Sequence, residues 1–143
     1  MKKNAVIFLL FIFIIPFNLS SQTIEKRSKI EKPYFTPLKK FDPSRDAAKD
    51  IDLVILEAKR TNRRILLDVG GEWCIWCHRL DTMFIKNPKV DKYLNDHFVV
   101  VKLNYSKENK NEKVLSRYPK FPGFPHIFIL DKDGKFLKSK KHG

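Results

Sequence analysis

Cysteine is scarce in this chain. Only Cys74 and Cys77 occur among 143 residues, so there is no disulfide framework, and no second cysteine pair or spaced histidine pair completes a tetrahedral zinc set. A bridge between residues three apart restricts the unfolded chain little, which makes the pair a poor structural staple and a better reactive dithiol. No internal repeat is present, which excludes a repeat architecture. Long apolar runs are lacking too: the longest, residues 5–17, falls short of the roughly 20 residues a membrane span needs. No cysteine follows that run directly, so lipid attachment at such a residue is excluded. Acidic residues are few, 16 against 29 lysines and arginines, for a formal charge of +13. The basic residues are scattered without interleaved aromatics, unlike a nucleic-acid surface. Their excess keeps the chain in solution or draws it to acidic partners or an anionic membrane surface.

What is present divides into three stretches. Lys2 and Lys3, the apolar run and the polar flank 18–22 match a secretory signal. Cleavage is expected near Ser21, giving a signal segment 1–21, with an uncleaved N-terminal anchor as the alternative. Residues 22–43, basic and containing Pro33, Pro37 and Pro43, form an extended lead-in whose Tyr34, Phe35 and Phe41 are able to pack on the domain that follows, residues 44–143. Export places the chain where disulfides persist.

Residues 66–80, LLDVGGEWCIWCHRL, organise that domain. An apolar run reads as a buried strand, Gly70 and Gly71 break it, and a helical pattern begins at Cys74. A cysteine in the first helical turn faces unpaired N–H groups and the positive end of the helix dipole, so its thiolate is stabilised and attacks disulfides. Cys74 is therefore the expected nucleophile and Cys77, one turn on, the resolving thiol. Upstream, Ser44 suits the N-cap of a helix that buries Ile51, Val54, Ile55 and Ala58 and ends at Thr61-Asn62.

A strand at 64–69 follows, then the cysteine helix to Lys86, burying Leu80, Phe84 and Met83. Asn87-Pro88 opens a second helix. Residues 98–103, FVVVKL, read as a central strand, 108–118 as a loop and short helix, 126–130 as a strand, 131–134 as a turn and 135–138 as a last strand. The expected order is α, β, α, α, β, α, β, β.

These residues resemble the thioredoxin superfamily, in particular exported members such as the soluble domains of thiol:disulfide interchange proteins, over residues 51–137. The resemblance rests on the WC-x-x-C pattern, Asp68 six residues before Cys74, Lys102 in the sequence VKLN, Pro125 before an apolar strand, the hairpin 128–135 and Asp81 four residues after Cys77. It implies an α/β fold, thioredoxin-like, with a central mixed β-sheet flanked by helices; this chain is expected to depart from the family in missing the C-terminal helix that usually follows the hairpin. It implies a periplasmic disulfide oxidoreductase that works through the Cys74–Cys77 disulfide with no other cofactor, reduces protein disulfides and receives electrons from a membrane-bound donor. Asp68 would carry protons, Lys102 lie near it, and Pro125 be a cis-proline that presents backbone to substrate beside Phe124 and Trp73. The family usually has Gly-Pro between its cysteines where this chain has Ile75-Trp76, so the direction of electron flow stays open between reductase, oxidase and isomerase. Oligomeric state is not legible.

Each assignment has a plainer competitor. Asp68 as an ordinary strand-end acid, Lys102 with its head in solvent, Trp73 as a partly buried core residue, Glu72 as a solvated loop charge, Asp81 as a helix-surface acid and His126 as a solvent-facing strand end are all ordinary roles. His78 is expected either to favour the Cys74 thiolate from one turn away or to be a solvated helix-face residue. Residues 74–78 also fit the C-x-x-C-H haem-attachment signature, with Met83, His97 or His126 as second axial ligand. A haem electron carrier and a non-catalytic interaction protein are thus the alternatives to the enzyme. The haem motif leaves Asp68 and Pro125 unexplained.

Overall fold

The computed structural model describes residues 32–139. The expected signal segment, residues 22–31 of the lead-in and residues 140–143 lie outside them. Helix α1 (Ala47–Thr61) is followed by β1 (Arg64–Gly70), α2 (Ile75–Lys86), α3 (Pro88–His97), β2 (Phe98–Asn104), α4 (Glu112–Leu115), β3 (His126–Leu130) and β4 (Phe136–Ser139). This is the element order expected from the sequence. The strands form one mixed sheet in the order β2-β1-β3-β4, with β2 parallel and β3 antiparallel to β1, and helices on its faces.

Alternation along the strands separates two unlike faces. Ile65, Leu67 and Val69 of β1 join Val99, Val101, Leu103, Phe128 and Leu130 in the main core, closed by Ile51, Val54 and Ala58 of α1 and by Val114 and Leu115 of α4. On the opposite face Asp68 and Gly70 look toward α2. The register pairs Asp68 with Lys102 and Gly70 with Asn104, so that face is polar where α2 crosses it.

Several local expectations are corrected. Asp46, not Ser44, caps α1: its carboxylate accepts the N–H groups of Ala48 and Lys49, a stronger acceptor at the positive helix end than a hydroxyl. Among the described residues β2 is an edge strand rather than a central one. Its β-branched residues are buried by helices on its faces, not by strands on both sides. Residues 108–118 form the expected loop and short helix, the helix being the four residues of α4. Asn104, Asn109 and Asn111 tie the preceding loop with side-chain bonds to backbone carbonyls, which compete with helical hydrogen bonding. Only Cys77 of α2 is buried; Leu80 and Phe84 are half-buried and Met83 is exposed, because α2 covers a polar strip and not an apolar one.

The lead-in packs on the domain. Phe35 enters the main core, and the Tyr34 N–H donates to Glu57 Oε2 at 3.0 Å. Glu57 is itself buried and paired with Arg60 and Arg63. Phe41 goes to the other face, against the cysteines. Truncating a fully packed phenylalanine costs about 3–5 kcal/mol. Phe35→Ala is accordingly expected to lower the unfolding free energy by that amount, read as a lower urea midpoint with the slope unchanged; a loss under about 1 kcal/mol would show that the lead-in is not part of the core.

Candidate active site

The site begins where β1 ends. Gly70 closes the strand, and a Cβ there would lie 2.5 Å from Cys77 Sγ and 2.9 Å from the Phe41 ring. Only glycine lets the strand approach the sulfur so closely. The chain then turns through Glu72 and Trp73, and Cys74 takes the N-cap position of α2, its sulfur accepting the Cys77 N–H at 3.2 Å. A negative charge on Cys74 therefore meets both a donor and the helix dipole. Cys74 and Cys77 are joined as a disulfide, with Cα atoms 5.2 Å apart. Cys74 is 4% exposed and Cys77 fully buried.

Below the disulfide lies a compact set of charges. Asp68 is 1% exposed and shares the face of Gly70, two residues or about 7 Å along the strand. Its Oδ2 accepts from Lys102 Nζ at 3.1 Å, and Lys102 also donates to Asp81 of α2. Asp68 Oδ1 is buried with no hydrogen-bond partner among the described residues. Burial pushes the Asp68 carboxyl above the usual carboxylate range; the Lys102 ammonium opposes the rise, and the Asp81 charge adds to it. Lys102 does not snorkel to solvent, and Asp81 is not a free surface acid: the two meet across the sheet–helix interface.

The wall opposite is built by the segment before β3. The Phe124–Pro125 bond is cis. Phe124 packs against the cluster of Phe41, Cys74 and Cys77, edge-on to Trp73 at 5.5 Å and tilted against Tyr105 at 4.8 Å. Trp73 is 58% exposed, so it is a wall and not a core residue. Its indole N–H donates to the Tyr105 carbonyl at 2.7 Å, and it borders a cleft of about 660 Å³ with Pro43, Glu72 and Tyr105. The structure thus brings Cys74, Cys77, Asp68, Lys102, Trp73 and Phe124 around one centre, with Pro125 following Phe124 in the same wall.

The two histidines near the site are placed differently. His78 Nε2 donates to the Glu72 carbonyl at 2.8 Å, so its ring closes the loop ahead of the cysteines. His126 is 1% exposed, stacked on Phe121 at 4.6 Å and bonded to Ser139 Oγ at 2.9 Å. It belongs to the α1 face with Phe128 and is not solvent-facing. A haem at residues 74–78 fits poorly. Its bonds to both sulfurs would displace Phe41 from Cys77, and His78 would have to leave Glu72. Among the described residues no three His, Cys, Asp or Glu side chains converge on a metal position.

Two residues of the site escaped the sequence. Phe41 is 1% exposed and covers the disulfide, and the Glu72 carboxylate accepts the Phe41 N–H at 2.7 Å. Glycine inside an apolar strand signals a close approach and was the one hint that something large abuts Gly70.

A sequence model described as thioredoxin-like matches residues 46–132. The thiol:disulfide interchange protein DsbD of Escherichia coli K12 is 25% identical over 101 residues, 71% of this chain and 16% of that protein. Spermatogenesis-associated protein 20 of mouse is 31% identical over 62 residues, 43% of this chain and 8% of that protein; the chain thus spans only a small part of these curated relatives. Among solved structures, a disulphide isomerase from Xylella fastidiosa Temecula1 superposes with a TM-score of 0.63 at 29% identity, covering 69% of this chain and 76% of that one.

The Asp68 shift has a sign that can be measured. Because its folded pKa is raised, the folded state holds the proton more tightly than the unfolded chain. Asp68 therefore costs stability as pH rises from the ordinary carboxylate value, about 3.9, through its raised value, and the full cost persists above it. Asp68→Asn is expected to resist urea better than wild type at pH 7, with the advantage vanishing near pH 4. A variant less stable than wild type at pH 7 would contradict the burial argument.

Proposed function

We propose, from the premise that this chain belongs to the thioredoxin-like family, that it is an exported thiol:disulfide oxidoreductase that reduces protein disulfides through Cys74 and Cys77. The observation that carries this is the disulfide at the N-terminus of α2 with a buried acid of raised proton affinity one pleat below it. In the reduced form the Cys74 thiolate attacks one sulfur of a substrate disulfide; a mixed disulfide forms and one substrate sulfur leaves as thiolate, taking a proton from water. Cys77 then gives its proton to the Asp68 carboxylate and attacks Cys74 Sγ. The second substrate thiolate departs, and the Cys74–Cys77 disulfide closes. Two electrons pass to the substrate. A raised pKa makes Asp68 the stronger base for that second step. No group beyond the two sulfurs is needed to carry the electrons.

The surroundings favour a protein as substrate. Trp73, Ile75 and Trp76 stand 58%, 60% and 60% exposed around Cys74, with Arg79 stacked 4.4 Å over the Trp76 ring. An apolar rim of this kind suits docking against another chain, and the cis Phe124–Pro125 segment offers backbone for an extended peptide. The charge of +13 favours acidic partners. The N-terminal 21 residues support export to a periplasmic compartment, by cleavage or as an anchor, and the oxidised dithiol would be recharged by a membrane-bound donor.

Insulin reduction in the presence of dithiothreitol tests the reading. Wild type is expected to accelerate precipitation and Cys74→Ser to return it to the background rate. Asp68→Asn is expected to slow the second, resolving step roughly a hundredfold, in the range a positioned proton carrier contributes, while adduct formation by Cys74 proceeds. Equal rates with wild type and Cys74→Ser would leave a binding protein.

A further inference from the structure

Phe41 precedes residues 46–132, which match the family, so its place in the site is read from this chain alone. Four observations define that place. Its side chain is 1% exposed and clusters with Cys74 and Cys77. Lys102 Nζ lies 4.3 Å from its ring centroid, so the ammonium that holds Asp68 and Asp81 has the ring as a further wall. The same ring comes within 2.9 Å of where a Gly70 Cβ would be, beside Cys77 Sγ. The Phe41 N–H is bound by Glu72 Oε1 at 2.7 Å, while the Glu72 carbonyl takes the His78 ring N–H. One residue of the active-site loop thereby ties the lead-in and α2 together. Asn109 holds the next turn through the Pro43 carbonyl at 2.9 Å.

We propose that Phe41 is a positioning residue of the dithiol: latched by Glu72, it seals Cys77 and the Asp68–Lys102–Asp81 cluster from water and thereby sets the balance between disulfide and dithiol. The inference rests on the oxidoreductase reading only in taking the dithiol as the working group. The physical cause is local dielectric. A thiolate formed on a buried cysteine is disfavoured, and charge interactions beneath an apolar cover are strengthened relative to water. Removing the ring admits water to Cys77, stabilises its thiolate and so favours the reduced pair. A residue that merely adds packing would change unfolding without changing this equilibrium.

The test is the equilibrium of full-length protein with a glutathione redox buffer, which is read without substrate turnover. Read at about pH 9, where a solvated thiol of ordinary pKa, about 8.5, is mostly thiolate, Phe41→Ala is expected to shift it toward the dithiol by about threefold or more, and Glu72→Ala to shift it in the same direction by less. Phe41→Leu, which keeps an apolar cover, is expected to restore the wild-type value. Phe35→Leu, in the same segment but in the core on the other face, is expected to lower stability and leave the equilibrium where it was. The proposal is overturned if Phe41→Ala and Glu72→Ala both keep the wild-type equilibrium, or if Phe35→Leu moves it as far as Phe41→Ala. Where Phe41→Ala does not fold, Glu72→Ala decides alone. An inactive wild type in the insulin assay would sink the oxidoreductase reading while leaving this equilibrium measurable.

Discussion

Two carboxylates and one ammonium share the space between the sheet and α2, and the site follows from the charge they leave. With Asp68, Lys102 and Asp81 all ionised the set carries one net negative charge beneath a largely buried surface. Burying uncompensated charge is costly, and a group so placed relieves the cost by binding a proton. Asp68 is the more buried of the two acids, side chain 2% against 20% exposed, and burial raises its affinity for the proton. The cluster therefore sets a buried acid of raised proton affinity one pleat from the contact between Gly70 and Cys77. The polar strip explains why α2 is amphipathic only weakly: it has a charged surface to cover and a sulfur to bury.

The same arrangement leaves apolar side chains elsewhere. Because α2 does not turn its aromatic residues into a core, Trp76 stays outside with Ile75, and Trp73 is held upright by its bond to Tyr105. The residues that flank Cys74 are thus exposed, while Phe41 and Phe124 cover the disulfide beneath them. Exposure above and exclusion of water below come from one helix lying on a polar strip.

Much of this was legible in the sequence, for identifiable reasons. The strand-to-helix junction at Cys74 follows from hydrophobic periodicity and two glycines, and Asp68 and Lys102 meet because parallel pairing of β1 and β2 sets them side by side. The cap of α1 was misplaced because Ser44 and Asp46 are both good caps and local sequence does not choose between them. The edge position of β2 was hidden because burial by helices and burial by strands leave the same β-branched signature. His126 looked like a strand-end surface residue, and only the aromatic cluster of Phe121 and Phe128 makes its burial possible. Phe41 and Glu72 were out of reach, since their contact spans 31 positions and depends on where an irregular segment happens to pass.

The central claim is that Cys74 attacks and Cys77 resolves. Reduced Cys77→Ser protein mixed with a disulfide-bonded protein, followed by nonreducing electrophoresis and mass spectrometry, tests it most directly. The account predicts a covalent adduct through Cys74 that dithiothreitol releases and that the Cys74→Ser variant does not form; no adduct beyond that of the Cys74→Ser control would contradict it.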